Sequence, residues 1–437
     1  KYDSILAKST KNGGTTLKVH LESVAQLAML AARCMGMDPE IARLGALLHD
    51  IGKANPLFQQ SLEQERTSFF CSGFPFRHEI ASLFFLNLVD RALWDPVIDM
   101  IIAHHKSVSN DDRKKGILDL EDEYGDEILE YHLSDFSAWS MDALGILGVT
   151  SETVITEQDA RCAYDYALTH CGKKTKGWSV WKGLLMGADH LASATEEQKD
   201  RLPDLFTIPD LHFYNRQSEL YPLSLIESDV TKRHSFVKAP TGAGKTDFLM
   251  KRCRGRIFYT LPFQASINAM YERIAHDLGD CVEDVRLLHS ISQLVIEDNR
   301  IVEKAIQNKF GAAIKVLTPH QLAAIALGTK GYEAMLFDLQ GCDIILDEIH
   351  TYSDMVQSIV LKMVEVMNHI GCRIHVGTAT MPSVLEQAIL QILGGRENVQ
   401  YVELPVDVSD SFNRHIVHKA DSFIELLPVI RQAVDEE

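Results

Sequence analysis

A histidine and an aspartate stand side by side at His49-Asp50, at the end of an apolar helical run, and Lys53 follows about one turn later. A buried carboxylate beside a buried imidazole is costly unless it is paired or holds a metal. The doublet therefore needs partners, and the chain offers His20, His78, the pair His104-His105 and Asp189. All are imidazoles or carboxylates, and imidazole-rich sets favour transition metals over magnesium. Taken singly, each has an ordinary explanation. A lone histidine such as His20 is most often a hydrogen-bonded core residue, and His104-His105 suits a helix C-terminus. Lys53 has two readings of equal weight: a lysine favouring a helix end, or a cation that meets phosphate.

A second set lies in 239–246, where APTGAGKT follows an apolar strand and precedes a short helix. This is a phosphate-binding loop with alanine in place of its first glycine. Backbone N–H groups of Thr241, Gly242, Ala243 and Gly244 cradle phosphates, Lys245 reaches the β- and γ-phosphates, and Thr246 ligates Mg²⁺. Asp347-Glu348-Ile349-His350 follows another apolar run. In such a pairing Asp347 holds the Mg²⁺ of ATP and Glu348 activates the attacking water.

The elements that must position these groups change character along the chain. Residues up to about Leu205 read as nearly all helix. Asp38-Pro39 sets a capping carboxylate and a first-turn proline ahead of Ile41, Leu44, Leu48 and Ile51, an apolar face at helical spacing. Leu17 to Ala31 forms another stripe with His20 on it. Helices are expected over Glu79–Leu88, from Asp95-Pro96 to His104-His105, and over Trp178–Ser193, with Asp189 near its end. Beyond Leu202–Pro209, apolar runs alternate with helical stretches: Ser235–Val237, Arg256–Leu261, Val285–His289, Ile314–Leu317, Asp343–Leu346 and Arg373–Val376. That alternation predicts a parallel α/β sheet covered by helices. The fold class is thus multidomain: an all-α bundle over 1–205, an α/β lobe over 206–399, and in 400–437 the incomplete beginning of a linker or further lobe.

The totals bound the rest. The chain has 437 residues, 46% of them hydrophobic, so two or three packed domains are expected. No run reaches the length of a membrane span, which excludes a spanning protein. Eight cysteines are scattered with no CxxC pair, which suggests reduced thiols and a cytoplasmic protein. A net charge of −18 argues against a surface generally attractive to nucleic acid, leaving room only for local basic grooves. Islands such as Lys251/Arg252/Arg254/Arg256 read first as solvated charge.

The ordered set His20, His49-Asp50 in HDIGK, His78, His104-His105 and Asp189 in ADHLAS resembles the HD-domain metal-dependent phosphohydrolases. The histidine at 78 and the histidine pair are similar to the two-metal subclass. That resemblance implies one metal on His20, His49, Asp50 and Asp189. It implies a second on Asp50, His78, His104 and His105, with Asp50 bridging and catalysis centred on Asp50 and Lys53. Two ions about 3.5–4 Å apart generate a nucleophile and steady the leaving oxygen of a phosphodiester. Iron, manganese, cobalt or nickel is expected.

The order APTGAGKT, DEIH, then Thr378-Ala379-Thr380 resembles a superfamily-two helicase. On that resemblance Leu261–Gln264 (LPFQ) and Thr318–Leu322 (TPHQL) contact a nucleic-acid strand, Gln217 reads adenine, and His350 couples ATP state to Thr378–Thr380. An HD domain followed by such a lobe resembles the helicase–nuclease effectors of type I CRISPR systems. The implied activity is metal-dependent degradation of single-stranded DNA coupled to 3′→5′ helicase action. The implied partner is a guide-RNA surveillance complex at an R-loop. No QxxGRxxR-like stretch lies between Pro382 and Glu437, so the chain is expected to stop before a second RecA-like lobe and to lack processive unwinding.

Three other readings stand beside this one. The first is an HD nucleotide phosphohydrolase with a regulatory ATPase lobe, against which the LPFQ and TPHQL stretches argue. The second is a non-enzymatic binding module, and the third is an RNA substrate, since nothing here reads a 2′-hydroxyl.

Overall fold

The computed structural model describes residues 4–9, 14–64, 76–103, 125–149, 153–173, 179–194, 205–279, 310–319, 322, 332–351, 354–412 and 419–435. His104, His105, His320, Gln321 and the expected strand at 285–289 lie outside the described residues.

The N-terminal half is helical. α1 (Leu17–Cys34) starts at Thr16, whose hydroxyl accepts from Val19 N–H. α2 (Pro39–Leu48) starts as its sequence dictates, with Asp38 accepting from Glu40 N–H and Pro39 in the first turn. After the turn at 49–54 come α3 (Pro56–Gln64), α4 (His78–Leu83), α5 (Trp94–Ala103), α6 (Gly125–Leu133), α7 (Phe136–Ile146), α8 (Glu157–Lys173) and α9 (Val180–Ala194). α1, α2 and α9 approach closely because their contact faces carry small residues: Ala28, Ala31, Ala42, Ala46 and Ala188 are fully buried there.

Two expected helices differ from their sequence reading. The run expected over Glu79–Leu88 ends at Leu83, and Leu86–Leu88 forms a separate 3₁₀ turn. Adjacent Phe84 and Phe85 both meet Phe136, at ring separations of 5.6 and 6.0 Å. A continuous helix would splay neighbouring side chains about 100° apart, so packing both on one partner breaks it. α5 begins at Trp94, which puts Asp95 inside the first turn rather than at the cap.

The C-terminal half is built on one parallel six-stranded sheet in the order β3-β2-β4-β5-β1-β6. The strands are β1 (His234–Lys238), β2 (Ile257–Thr260), β3 (Ile314–Leu317), β4 (Asp343–Asp347), β5 (Arg373–Thr378) and β6 (Val399–Glu403). Helices lie between them, among them α10 (Lys245–Arg252) and α11 (Gln264–Leu278). The central strands are buried along their length, which explains their uninterrupted apolar runs. β6, expected to open the third segment, instead pairs along its whole length with β1 and completes this sheet.

The two halves share a core. Leu184, Leu185 and Ala188 of α9 pack with Phe206, Phe310 and Phe337 beside the sheet. Lys182 Nζ donates to Glu333 Oε1 at 2.7 Å, with both side chains 3% exposed. Among the basic island residues, Arg252 donates to the carbonyls of Asp229 and Lys232, and Arg256 bonds Asp338. Those two are buried and structural, while Lys251 is half-buried and Arg254 is exposed. Among the described residues, no helix is long and apolar enough to cross a membrane.

Candidate active site

Five elements bring the expected ligands together. His20 comes from the second turn of α1, His49 is the C-cap of α2, and Asp50 begins the 3₁₀ turn Ile51–Ala54. His78 opens α4, and Asp189 lies near the end of α9. Gly52 makes the approach of α4 possible. A Cβ at that position would lie 2.2 Å from the carbonyl oxygen of His78 and 2.7 Å from Ser82 N. Instead Gly52 N–H donates to Ser82 Oγ at 2.9 Å, seating the turn on the start of α4.

Asp50 is the hub. Its Oδ2 lies 3.2 Å from His20 Nε2 and 3.4 Å from His49 Nε2, and its Oδ1 lies 3.2 Å from His78 Nε2. His20 Nε2 is also 3.4 Å from Asp189 Oδ1. His49 Nδ1 sits 2.6 Å from the carbonyl of Ala46, which can only accept, so this nitrogen carries a proton and Nε2 is the ring nitrogen turned toward Asp50. Burial holds His78 below the usual imidazole range, against the pull of Asp50, which favours neutral rings that can act as ligands.

This donor set fits a divalent cation. One nitrogen each from His20 and His49 and one oxygen of Asp50 lie within 4.8 Å of one another, all buried. His20 Nε2 is buried without a hydrogen bond of its own. Lys53 Nζ occupies the cationic position beside Asp50 Oδ2, at 2.5 Å. Lys53 therefore points into the carboxylate hub rather than out toward a phosphate. Gln59 holds that turn from outside, donating to the carbonyls of Lys53 and Leu6. No local sequence signal marks Gln59, because its partners are set by how α3 folds back.

In a second cluster, donors from Cys253, Asp343 and His375 also lie within 4.8 Å of one another. Its chemistry is different. Asp343 accepts from Arg254 N–H, Gly255 N–H, two nitrogens of Arg373 and His375 Nε2. These donors hold its carboxyl well below the usual range despite burial. It is a satisfied structural knot with no lone pair to spare.

The nucleotide set gathers at the C-terminal edge of the sheet, the crevice where ligands of open α/β sheets bind. Lys238 of β1 pairs with Thr378 of β5, and Asp347 of β4 pairs with Gly377, so three motifs meet there. Gly242 and Gly244 adopt φ of 93° and 94°, left-handed angles that glycine takes at little cost and that wrap the loop. Lys245 Nζ donates to Ala239 O at 3.1 Å and lies 3.4 Å from Glu348 Oε1. Asp347 accepts from Tyr259 OH at 2.7 Å, and burial pushes its carboxyl up to about 6. Glu348 is itself left-handed at φ 53°, fixed by its N–H donating to Gly377 O at 2.8 Å. Thr241, Gly242 and Gln217 face solvent or nearly so, while Ala243 and Thr246 are buried.

Sequence reasoning missed the clamp around this loop. Asp247 accepts from Arg216 at 2.7 Å and from Arg273 at 2.8 Å, and Arg273 also reaches Thr246 Oγ1 at 3.4 Å. Arg216 adjoins Gln217, so the clamp fixes the segment that carries it. Phe263 of the LPFQ stretch is 59% exposed at the start of α11, open to a partner.

A helical histidine–aspartate centre joined to a sheet with a phosphate loop and DEIH defines an HD domain fused to a DEAD/DEAH-type helicase lobe. Residues 18–127 match the HD domain, and residues 214–388 match the DEAD/DEAH box helicase. Asp189 lies beyond the first match, so only the geometry brings it to the site. The chain therefore carries an HD domain and a DEAD/DEAH box helicase domain, and it is similar to Cas3 proteins. It is 30% identical over 156 residues to the CRISPR-associated nuclease/helicase Cas3 of Methanothermobacter thermautotrophicus, covering 33% of this chain and 19% of that protein. It is 24% identical over 415 residues to the CRISPR-associated endonuclease/helicase Cas3 of Thermus thermophilus, covering 80% of this chain and 45% of that one. The chain thus spans less than half the length of either relative. The crystal structure of T. fusca Cas3 with AMPPNP has the same fold, with a TM-score of 0.55 at 16% identity over 96% of this chain and 54% of that chain. The HD domain points to a divalent metal, and the helicase lobe points to ATP.

Proposed function

We propose that this chain cuts single-stranded DNA at its HD centre and binds ATP·Mg²⁺ in its helicase lobe. It would act within type I CRISPR interference beside a guide-RNA surveillance complex. In the relatives' setting the lobe would drive a strand 3′→5′ toward the cutting centre. The observation that carries the reading is the convergence of His20, His49 and His78 on both oxygens of Asp50, with Asp189 closing the far side of His20. A carboxylate engaged at both oxygens is the natural bridge between two cations, and His104 and His105 are proposed to complete the second. Iron, manganese, cobalt or nickel would supply a nucleophile at neutral pH and draw charge from the scissile phosphate.

The chain's own residues prepare that chemistry. His49 is oriented by Ala46, the turn is seated by Gly52, and Lys53 pairs with the buried Asp50. In the lobe, Lys245 and the loop 241–244 would take the phosphates of ATP, Thr246 and Asp347 its Mg²⁺, Glu348 the attacking water and Gln217 the base. We place the boundary between the two units near residue 205.

The test is cleavage of matched single-stranded DNA, RNA, duplex and free nucleotides by the chain with each metal, with and without ATP. Single-stranded DNA should be cut without ATP, and Asp50→Ala should abolish the reaction. Faster hydrolysis of free nucleotides than of the strand would instead favour a nucleotide phosphohydrolase.

A further inference from the structure

The first turns of α3 stand beside the HD centre, and one ring there lies outside the apolar clusters of the described residues. Asn55 caps the helix, accepting from Leu57 N–H at 2.8 Å. Phe58 follows. Its ring is half-buried, and among the described residues it belongs to none of the four apolar clusters and packs against none of them. Two of its neighbours belong to the HD centre. The ring of His78 meets it at 5.4 Å and 63°, and Lys53 Nζ lies 5.8 Å from its centroid. Phe76 completes the set at 6.5 Å, but Phe76 is anchored, stacked on His132 at 4.7 Å and packed against the helical core.

A large apolar ring is normally covered by aliphatic side chains. This one is left beside an ammonium and the edge of a metal-ligand candidate, a single ring away from Asp50. A metal-ligand set suited to phosphate and a half-buried aromatic ring beside it are together the chemistry of a nucleotide. His78 links the two groups, touching Asp50 at 3.2 Å and the Phe58 ring at 5.4 Å, so a base attached to a phosphodiester held at Asp50 would have this ring as a neighbour.

We propose that Phe58 is a base-stacking platform next to the HD centre, and that it selects strands whose bases are free to leave their own stack. The inference rests on the nuclease reading above and adds how the strand is held. Stacking on an aromatic face is tolerant of base identity, because every base offers a π-face. The platform therefore confers single-strand preference without sequence preference, since a base inside a duplex is already covered by its neighbours.

The test compares two strands of equal length and charge, one oligothymidylate and one with abasic tetrahydrofuran residues. Metal-dependent cleavage and metal-free binding by fluorescence anisotropy are measured for the wild-type chain, Phe58→Leu and Phe58→Trp. The wild type should favour the base-bearing strand roughly tenfold, within the range of one base stack. Phe58→Leu should lose that preference by weakening on the base-bearing strand alone, and Phe58→Trp should keep it. Equal loss on both strands in Phe58→Leu would mean that Phe58 only packs α3, and would overturn the proposal. So would a wild type that does not distinguish the strands, a result that needs no variant to fold. If neither strand is cut, the nuclease reading fails, while the anisotropy ratio between wild type and Phe58→Leu still decides this one.

Discussion

Replacing Asp50 by alanine should produce two effects that a second substitution separates. In the metal-free protein Asp50 and Lys53 form a buried pair, their side chains 2% and 11% exposed. Removing one partner of such a pair costs about 3–5 kcal/mol, because the remaining charge is left buried and uncompensated. For a domain of this size each kcal/mol lowers the melting temperature by about 2–4 °C. At about 3 kcal/mol, Asp50→Ala should therefore lower the melt of the helical half by roughly 6–12 °C in chelator. Adding Lys53→Met removes the stranded ammonium and should return most of that loss. Metal binding and cleavage should not return with it, because the carboxylate that joins His20, His49 and His78 is still missing. The assays are calorimetry in chelator, metal content after dialysis, and cleavage of single-stranded DNA. A melt for Asp50→Ala equal to the wild type would refute the buried-pair reasoning. Cleavage at the wild-type rate by the double variant would refute the ligand assignment.

Three further outcomes follow from other parts of the molecule. Lys245→Ala should abolish binding of a fluorescent ATP analogue yet leave ATP-independent cleavage intact, and a loss of both would show that the two sites are not separable. Burial pushes His132 down to about 4 from 6.5, against the opposing pull of the Ile128 carbonyl at Nδ1, while its Nε2 accepts from Arg77 N–H. The folded state then binds fewer protons than the unfolded one. The stability from neutral His132 is complete above pH 6.5, falls as pH drops, and by pH 4 has declined by about 3 kcal/mol. Urea midpoints of wild type and His132→Gln should converge over that interval, and parallel curves would count against it. At the junction of the halves, Lys182→Met should destabilise the chain by about 3–5 kcal/mol by stranding Glu333. Lys182→Met with Glu333→Leu should be near neutral, and equal loss in single and double variants would mean the pair is not the source.

Much of the site was legible in the sequence because its signals are local. The cap at Asp38-Pro39, the apolar face of α2 and the phosphate loop between β1 and α10 depend on residues within a turn or two of each other. The strand at 343–347 was readable for the same reason, since a central parallel strand must be apolar on both faces. The residue types at 20, 49, 50, 78 and 189 named a chemistry as an ordered set, although nothing local shows that they meet.

The sequence by itself determined which groups this chain carries and on what kind of element each sits. Tertiary structure decided which of them touch. It turned Lys53 inward onto Asp50, carried Asp189 on α9 to within reach of His20, and left Phe58 open beside His78. It also closed β6 onto β1 and placed Lys182 against Glu333 between the halves. Those outcomes depend on helix crossings and strand order. Each is fixed by the sum of many weak apolar contacts between segments far apart in the chain, of which no short stretch of sequence holds a record.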